Sequence, residues 1–221
     1  MLGLHVVFAV DRAGLVGEDG ETHHGLFDVG FLRQAPGLKI LCPASCEELT
    51  QMLTWAIQEY DGPVAIRYPR GGDGDYSDSA WQNDFAESGG VCCHRNGEDV
   101  TIITYGTLLQ NAMDAAEVLH GRGVEATVLR LLTVSPVPVD EIVANLSKNS
   151  HIVIMEESCT GGISDALSCQ LYKRIPNCRV DTFNFGNQFV THGNIGVLYK
   201  NYHLDCDSVA DYIMGVRAGE G

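Results

Sequence analysis

The run DGETHHG, residues 19–25, sets two carboxylates beside two adjacent imidazoles, and Asp28 follows three residues later. Asp19, His23, His24 and Asp28 are all potential ligands of a divalent metal. Adjacent histidines seldom turn both rings to one ion, and no H-x-x-x-H pair occurs anywhere in the chain, so no metal site is expected. A loop holding one histidine that titrates near neutrality suits acid–base work or a substrate contact better. On pattern alone, that reading and a purely structural loop both stand.

Three arginines are the next candidates, because cations are scarce here. Fourteen Lys and Arg face 29 Asp and Glu, a formal charge of −15. Arg12 and Arg70 follow apolar runs, where a planar guanidinium can grip a phosphate at two points. Arg67 lies inside such a run, on the opposite strand face from Ile66 and Tyr68. Surface salt bridges are the plain alternative for all three.

Other motifs weigh less. Gly14, Gly17 and Gly20 in GLVGEDG are spaced three apart, which is not G-x-G-x-x-G, and they read as a loop needing positive φ. The GDG at 72–74, with Asn96 downstream, lacks the flanking strand and helix of a metal–diphosphate motif and reads as linker. Glu156 and Glu157 in VIMEESCTGG could act as acid and base, but helix entry and contacts between the two halves fit them better.

These residues need elements to hold them. His5–Val10, Leu38–Cys42 and Val64–Tyr68 read as buried strands. Between the last two, Ser45 and Glu48 form an S-x-x-E capping box, and apolar residues recur at helical spacing until Gly62-Pro63. Strand–helix–strand with short connections implies parallel pairing. DRAG, PAS and RYPRGG then all fall at carboxyl ends of strands, the edge where open parallel sheets place ligands. Residues 71–90, rich in Gly, Ser and Asp, read as a linker.

Beyond it a second α/β unit is predicted. Its strands are Val100–Tyr105, Ala126–Leu131, Ile152–Met155 and Arg179–Phe183. Helices fall through Leu109–Leu119 and near 139–147, 162–174, 194–202 and 207–216. This half reads as complete. The first half, with three strands and one good helix, does not cover both faces of a parallel sheet. An upstream portion is expected to be missing or supplied by another chain, leaving apolar strand surface exposed.

So acidic a surface disfavours nucleic-acid and membrane partners. The eight cysteines make no C-x-x-C and no zinc spacing, and read as reduced, mostly buried thiols of a cytoplasmic protein. No signal peptide or membrane span is evident.

FAVDRAGLVGEDGETHHGLFDVGFLR, PAS and AIRYPRGG closely resemble the 1-deoxy-D-xylulose-5-phosphate synthase family, thiamine-diphosphate enzymes of the transketolase superfamily. TYGT, EES and FVTHGNIGVLYKNYHLD extend the resemblance along essentially the whole chain. It implies a partial pyrimidine-binding domain at 1–75, a linker at 76–90 and a C-terminal domain at 91–221. The implied reaction condenses pyruvate with D-glyceraldehyde 3-phosphate and releases CO2, in a homodimer or with the missing amino-terminal part. Arg12 and Arg70 would hold the acceptor's phosphate. Asp19 would bind an acceptor hydroxyl, and His23 would bond the intermediate or assist proton transfer; His24 receives no role. The resemblance places the activating glutamate and the Mg2+–diphosphate motif upstream. This chain alone is therefore expected neither to bind thiamine diphosphate and Mg2+ tightly nor to catalyse the condensation. A transketolase, a 2-oxoacid dehydrogenase β-type subunit and a non-catalytic dimerisation or regulatory remnant are the competing readings.

Overall fold

A computed structural model describes residues 4–72, 90–147 and 151–219. The first half holds β1 (Val7–Val10), α1 (Asp28–Leu32), β2 (Lys39–Leu41), α2 (Cys46–Gln58) and β3 (Val64–Arg67). The second holds β4 (Val91–Arg95), β5 (Val100–Tyr105), α3 (Leu109–Gly121), β6 (Ala126–Leu131), β7 (Thr133–Ser135) and α4 (Val139–Ala144). It continues with β8 (His151–Met155), α5 (Ser164–Arg174), β9 (Arg179–Phe183), α6 (Ile195–Asn201) and α7 (Cys206–Ala218). The linker at 76–90, apart from Gly90, and most of the GDG motif lie outside the described residues.

Both sheets are mainly parallel. β3 sits between β1 and β2 and runs parallel to each. In the second sheet, β6, β5, β8 and β9 run parallel, and β4 closes one edge antiparallel to β6. Every residue of β5, β6 and β8 is buried, as expected for strands covered on two faces.

One strand was not foreseen: β7 leaves the second half and joins the first sheet, antiparallel to β2. The transfer takes one residue. Leu132, fully buried, donates its N–H to the Gly90 carbonyl at 2.9 Å and accepts the Cys42 N–H at 3.0 Å. The core is shared accordingly: Ile40, Cys42 and Ala65 pack in one cluster with Ile103, Leu129 and Ile154.

α2 follows its sequence pattern. Ser45 caps it by accepting the Glu48 N–H at 3.1 Å, and Met52 and Ala56 are wholly buried. The reciprocal half of the capping box differs. The Glu48 carboxylate accepts the Ala44 N–H at 2.7 Å and is held in two-point fashion by Arg130 of β6, at 2.5 and 2.8 Å. Arg130 also donates to His94 at 3.0 Å. Burial and the Arg130 charge push the His94 imidazole down to about 3.

Beside β1, Leu4, Val6 and Phe8 are 60%, 37% and 46% exposed, so apolar surface does lie open at that edge. The cysteines are all free. Cys42, Cys92, Cys159 and Cys178 are buried, whereas Cys46 and Cys169 are exposed, so the thiols are less uniformly internal than expected.

Candidate functional site

The candidate loop leaves the carboxyl end of β1. Arg12 adopts φ +58°, the left-handed region that costs a non-glycine residue about 1–2 kcal/mol. Such strain persists where surrounding contacts over-determine the backbone, and here they do. The Ala13 N–H donates to the Tyr68 carbonyl at 3.0 Å, and Gly14 and Gly25 exchange hydrogen bonds of 2.9 and 2.8 Å. A Cβ on Gly25 would lie 2.3 Å from the Arg12 carbonyl, so only glycine closes the loop neck.

Three predicted residues converge beyond that neck. The Arg70 guanidinium, just past β3, donates to Asp19 Oδ2, and Arg12 Nη2 lies 3.9 Å from the same oxygen. The Arg70 hydrogen bond, with smaller help from Arg12 and His23, holds the Asp19 carboxyl below the usual aspartate range. Within the cluster two guanidinium groups face one carboxylate, while Asp11, Glu18 and Glu21 lie along the same loop. Both arginine side chains stay substantially exposed. An open depression of about 300 Å3 adjoins Arg70, lined by Val16–Glu18 of the loop and Gly193–Gly196 of the second half. His23 is exposed and pairs with Thr22 Oγ1 at 3.0 Å. A second pocket, about 260 Å3, lies between the PAS and RYPRGG loops and is lined by none of these four residues.

The neighbouring polar residues turn inward. His24 Nδ1 accepts the Val16 N–H at 3.1 Å, so Nε2 carries the proton and donates to the Thr191 carbonyl at 3.3 Å. The adjacent histidines therefore have separate partners. Arg67 is buried. Its Nε donates to Asp28 Oδ2 at 2.8 Å, and its Nη2 donates to the Gly25 and Glu157 carbonyls at 2.8 and 2.9 Å. The surface salt bridge expected of Arg67 is thus replaced by an internal pair, because β3 is covered on both faces.

Glu156 and Glu157 divide the roles foreseen for them. Glu156 accepts the Ile163 and Ser164 N–H groups at 2.8 and 3.1 Å where α5 begins. Glu157 reaches across to the first half, taking the Leu15 N–H at 2.7 Å. Tyr199, the Thr191 carbonyl and Gly193 complete the loop's support and were not foreseen. Their only sequence signal was the FVTHGNIGVLYKNYHLD segment itself.

Comparison with known proteins gives a consistent picture. Residues 2–72 match the family model of the transketolase pyrimidine binding domain, and residues 89–209 match that of the transketolase C-terminal domain. The 1-deoxy-D-xylulose-5-phosphate synthase of Chlorobium luteolum is 38% identical over 213 residues, covering 95% of this chain and 33% of the relative. That of Heliobacterium modesticaldum is 39% identical over 207 residues, covering 93% and 32%. The chain thus spans about a third of the length of the curated relatives it matches. Among solved structures, a split-gene transketolase described as an inactive beta4 tetramer superimposes with TM-score 0.79 at 24% identity, covering 96% of this chain and 67% of that one. A transketolase mutant from Pichia stipitis gives 0.75 at 20% identity, covering 95% and 30%.

Proposed function

The chain belongs to the transketolase family, and we propose that it is the acceptor-binding part of a 1-deoxy-D-xylulose-5-phosphate synthase. The observation that carries this reading is the Arg12–Asp19–Arg70 cluster, two exposed guanidinium groups on one carboxylate in a chain of formal charge −15. It suits the anionic phosphate of D-glyceraldehyde 3-phosphate. Arg70 and Arg12 grip that phosphate, which competes with Asp19 for their N–H groups. Asp19, kept ionised by the same arginines, accepts a hydrogen bond from an acceptor hydroxyl. His23 stands exposed on the same loop, free to exchange a proton with the bound aldehyde or the intermediate.

In the whole enzyme, thiamine diphosphate with Mg2+ would supply the carbanion that attacks pyruvate. Among the described residues no three His, Cys, Asp or Glu side chains converge as a metal site requires. We expect the chain alone to give no turnover and to act as a homodimer or with a second component supplying the remaining two thirds. The split-gene neighbour, of which this chain covers 67%, is described as an inactive beta4 tetramer. Among the described residues no helix is long and apolar enough to cross a membrane, and the free cysteines suit a reducing cytoplasm.

The test is NMR titration of this chain with D-glyceraldehyde 3-phosphate and, separately, with unphosphorylated glyceraldehyde. The phosphorylated aldehyde should perturb the signals of Arg12, Asp19 and Arg70, and the neutral one should not. Equal responses, or perturbation confined to other surfaces, would overturn the reading. Condensation product from the chain with pyruvate, cofactor and Mg2+ would overturn the incomplete-site part of it.

A further inference from the structure

The main chain of the acceptor loop is anchored to the first half at its neck. Past Gly14 and Gly25, its described main-chain supports outside the loop come from the second half, and the first half reaches it through Arg70 on the Asp19 side chain. The Gly193 N–H donates to the Gly17 carbonyl at 3.2 Å, and the Thr191 carbonyl receives the His24 Nε2–H. At the centre is Glu157, just past β8 and only 5% exposed. Its Oε1 accepts two hydrogen bonds, from the Leu15 N–H at 2.7 Å and from the Tyr199 hydroxyl at 2.8 Å. Leu15 precedes the loop wall of the depression beside Arg70, and Tyr199 lies on α6, which begins at the opposite wall. One carboxylate oxygen therefore ties both walls together. The loop is shaped for it: a Cβ on Gly14 would lie 2.1 Å from the Glu157 carboxyl carbon. Arg67, itself locked to Asp28, holds the Glu157 main chain in place.

We propose that Glu157, with Tyr199, is a positioning residue of the acceptor site, setting the distance between the Asp19–His23 loop and α6. It acts through the Leu15 amide and touches no substrate. The second half thereby joins in substrate recognition, although none of its side chains belongs to the Arg12–Asp19–Arg70 cluster. The proposal rests on the reading of that cluster as an acceptor site.

Hydrogen exchange and NMR on this chain test it. In Glu157→Gln the carboxyl group becomes a carboxamide at nearly constant volume. Exchange of the Leu15 amide should speed up by about tenfold or more, as weakening of a buried hydrogen bond requires. The Leu15 proton should also lose its downfield shift, while β3 and β5 amides stay unchanged. Tyr199→Phe, which removes one donor and leaves the carboxylate, should give a smaller change of the same sign and decides the matter if Glu157→Gln fails to fold. The affinity for D-glyceraldehyde 3-phosphate should fall about tenfold in Glu157→Gln. Unchanged Leu15 exchange in a folded variant, or loss of protection spread evenly over β3 and β5, overturns the positioning role. If wild-type chain ignores the aldehyde phosphate while Leu15 still responds as stated, the acceptor reading fails and the positional coupling stands.

Discussion

Arg67 and Arg70 lie three residues apart on one segment, and each pairs with an aspartate, yet they serve opposite ends. Arg67 is on β3, 4% exposed, with Asp28, two carbonyls and the Tyr105 ring, 5.7 Å from the guanidinium, around it. Burial alone would favour its neutral form, but Asp28 and its neighbours keep it firmly charged. Arg70 lies past the strand end with a side chain 56% exposed and, among the described residues, pairs with Asp19. The first pair is scaffold and the second is available to a ligand. Identical ion-pair chemistry takes its meaning from the solvent around it. A buried pair holds because breaking it strands a charge, whereas an exposed pair exchanges partners at little cost.

The largest effect that could break this comparison is on stability. Arg67→Met should lower unfolding free energy by about 3–5 kcal/mol in urea denaturation, because Asp28 is left buried and unpaired. Restoration of part of that loss by a second change, Asp28→Leu, would attribute it to the stranded carboxylate. A loss under about 1 kcal/mol would mean the pair is not the scaffold described.

Arg70→Ala should cost less than about 1 kcal/mol of stability, in line with exposed pairs. Its preference for phosphorylated over unphosphorylated aldehyde should nevertheless weaken by about 1.5–3 kcal/mol, the scale of hydrogen bonds to charged groups. Calorimetric titration of both ligands measures this, and an unaltered preference would remove Arg70 from the phosphate site.

A second buried arginine, Arg130, sharpens the contrast through pH. His94, facing Arg130, is held at about 3 against an ordinary 6.5. Its folded value is depressed, so the unfolded chain binds the proton first. Stability should be fully present above pH 6.5 and fall as pH drops toward 3, by at most about 1.4 kcal/mol per unit for this one proton. In His94→Gln, denaturation between pH 6 and 4 should show a shallower slope, and an identical slope would exclude His94 as its source.

The smallest effect is local. The Asp19 carboxyl should titrate below the usual aspartate range in wild type and move up toward it in Arg70→Ala, read from its carboxyl carbon shift. Titration unmoved by the substitution would show that Arg70 is not what depresses it.

Sequence reading reached several strands: Val100–Tyr105, Ala126–Leu131 and Arg179–Phe183 keep the bounds expected of them. The three-residue β7, followed by Pro136, is too short to show periodicity, and α1 is little more than one turn. Arg130 read as an ordinary strand residue because its partner Glu48 lies 82 positions away. The Arg12, Asp19 and Arg70 set could be named from loops at strand ends. That Asp19 lies between the two guanidinium groups could not.

By itself, the sequence determined what depends on neighbours along the chain. Strand and helix segments follow from periodicity, the α2 cap from Ser45, and the reversals from glycines at positive φ. It also placed the polar loops at carboxyl ends of parallel strands. Only the tertiary structure decided that β7 is lent to the first sheet, that Arg67 is enclosed while Arg70 is open, and that Glu157 reaches Leu15, 142 residues away. Solvent exposure and long-range pairing are set by what packs against a residue from elsewhere in the chain. The local pattern, which reads alike for a buried arginine and an open one, carries no record of that packing.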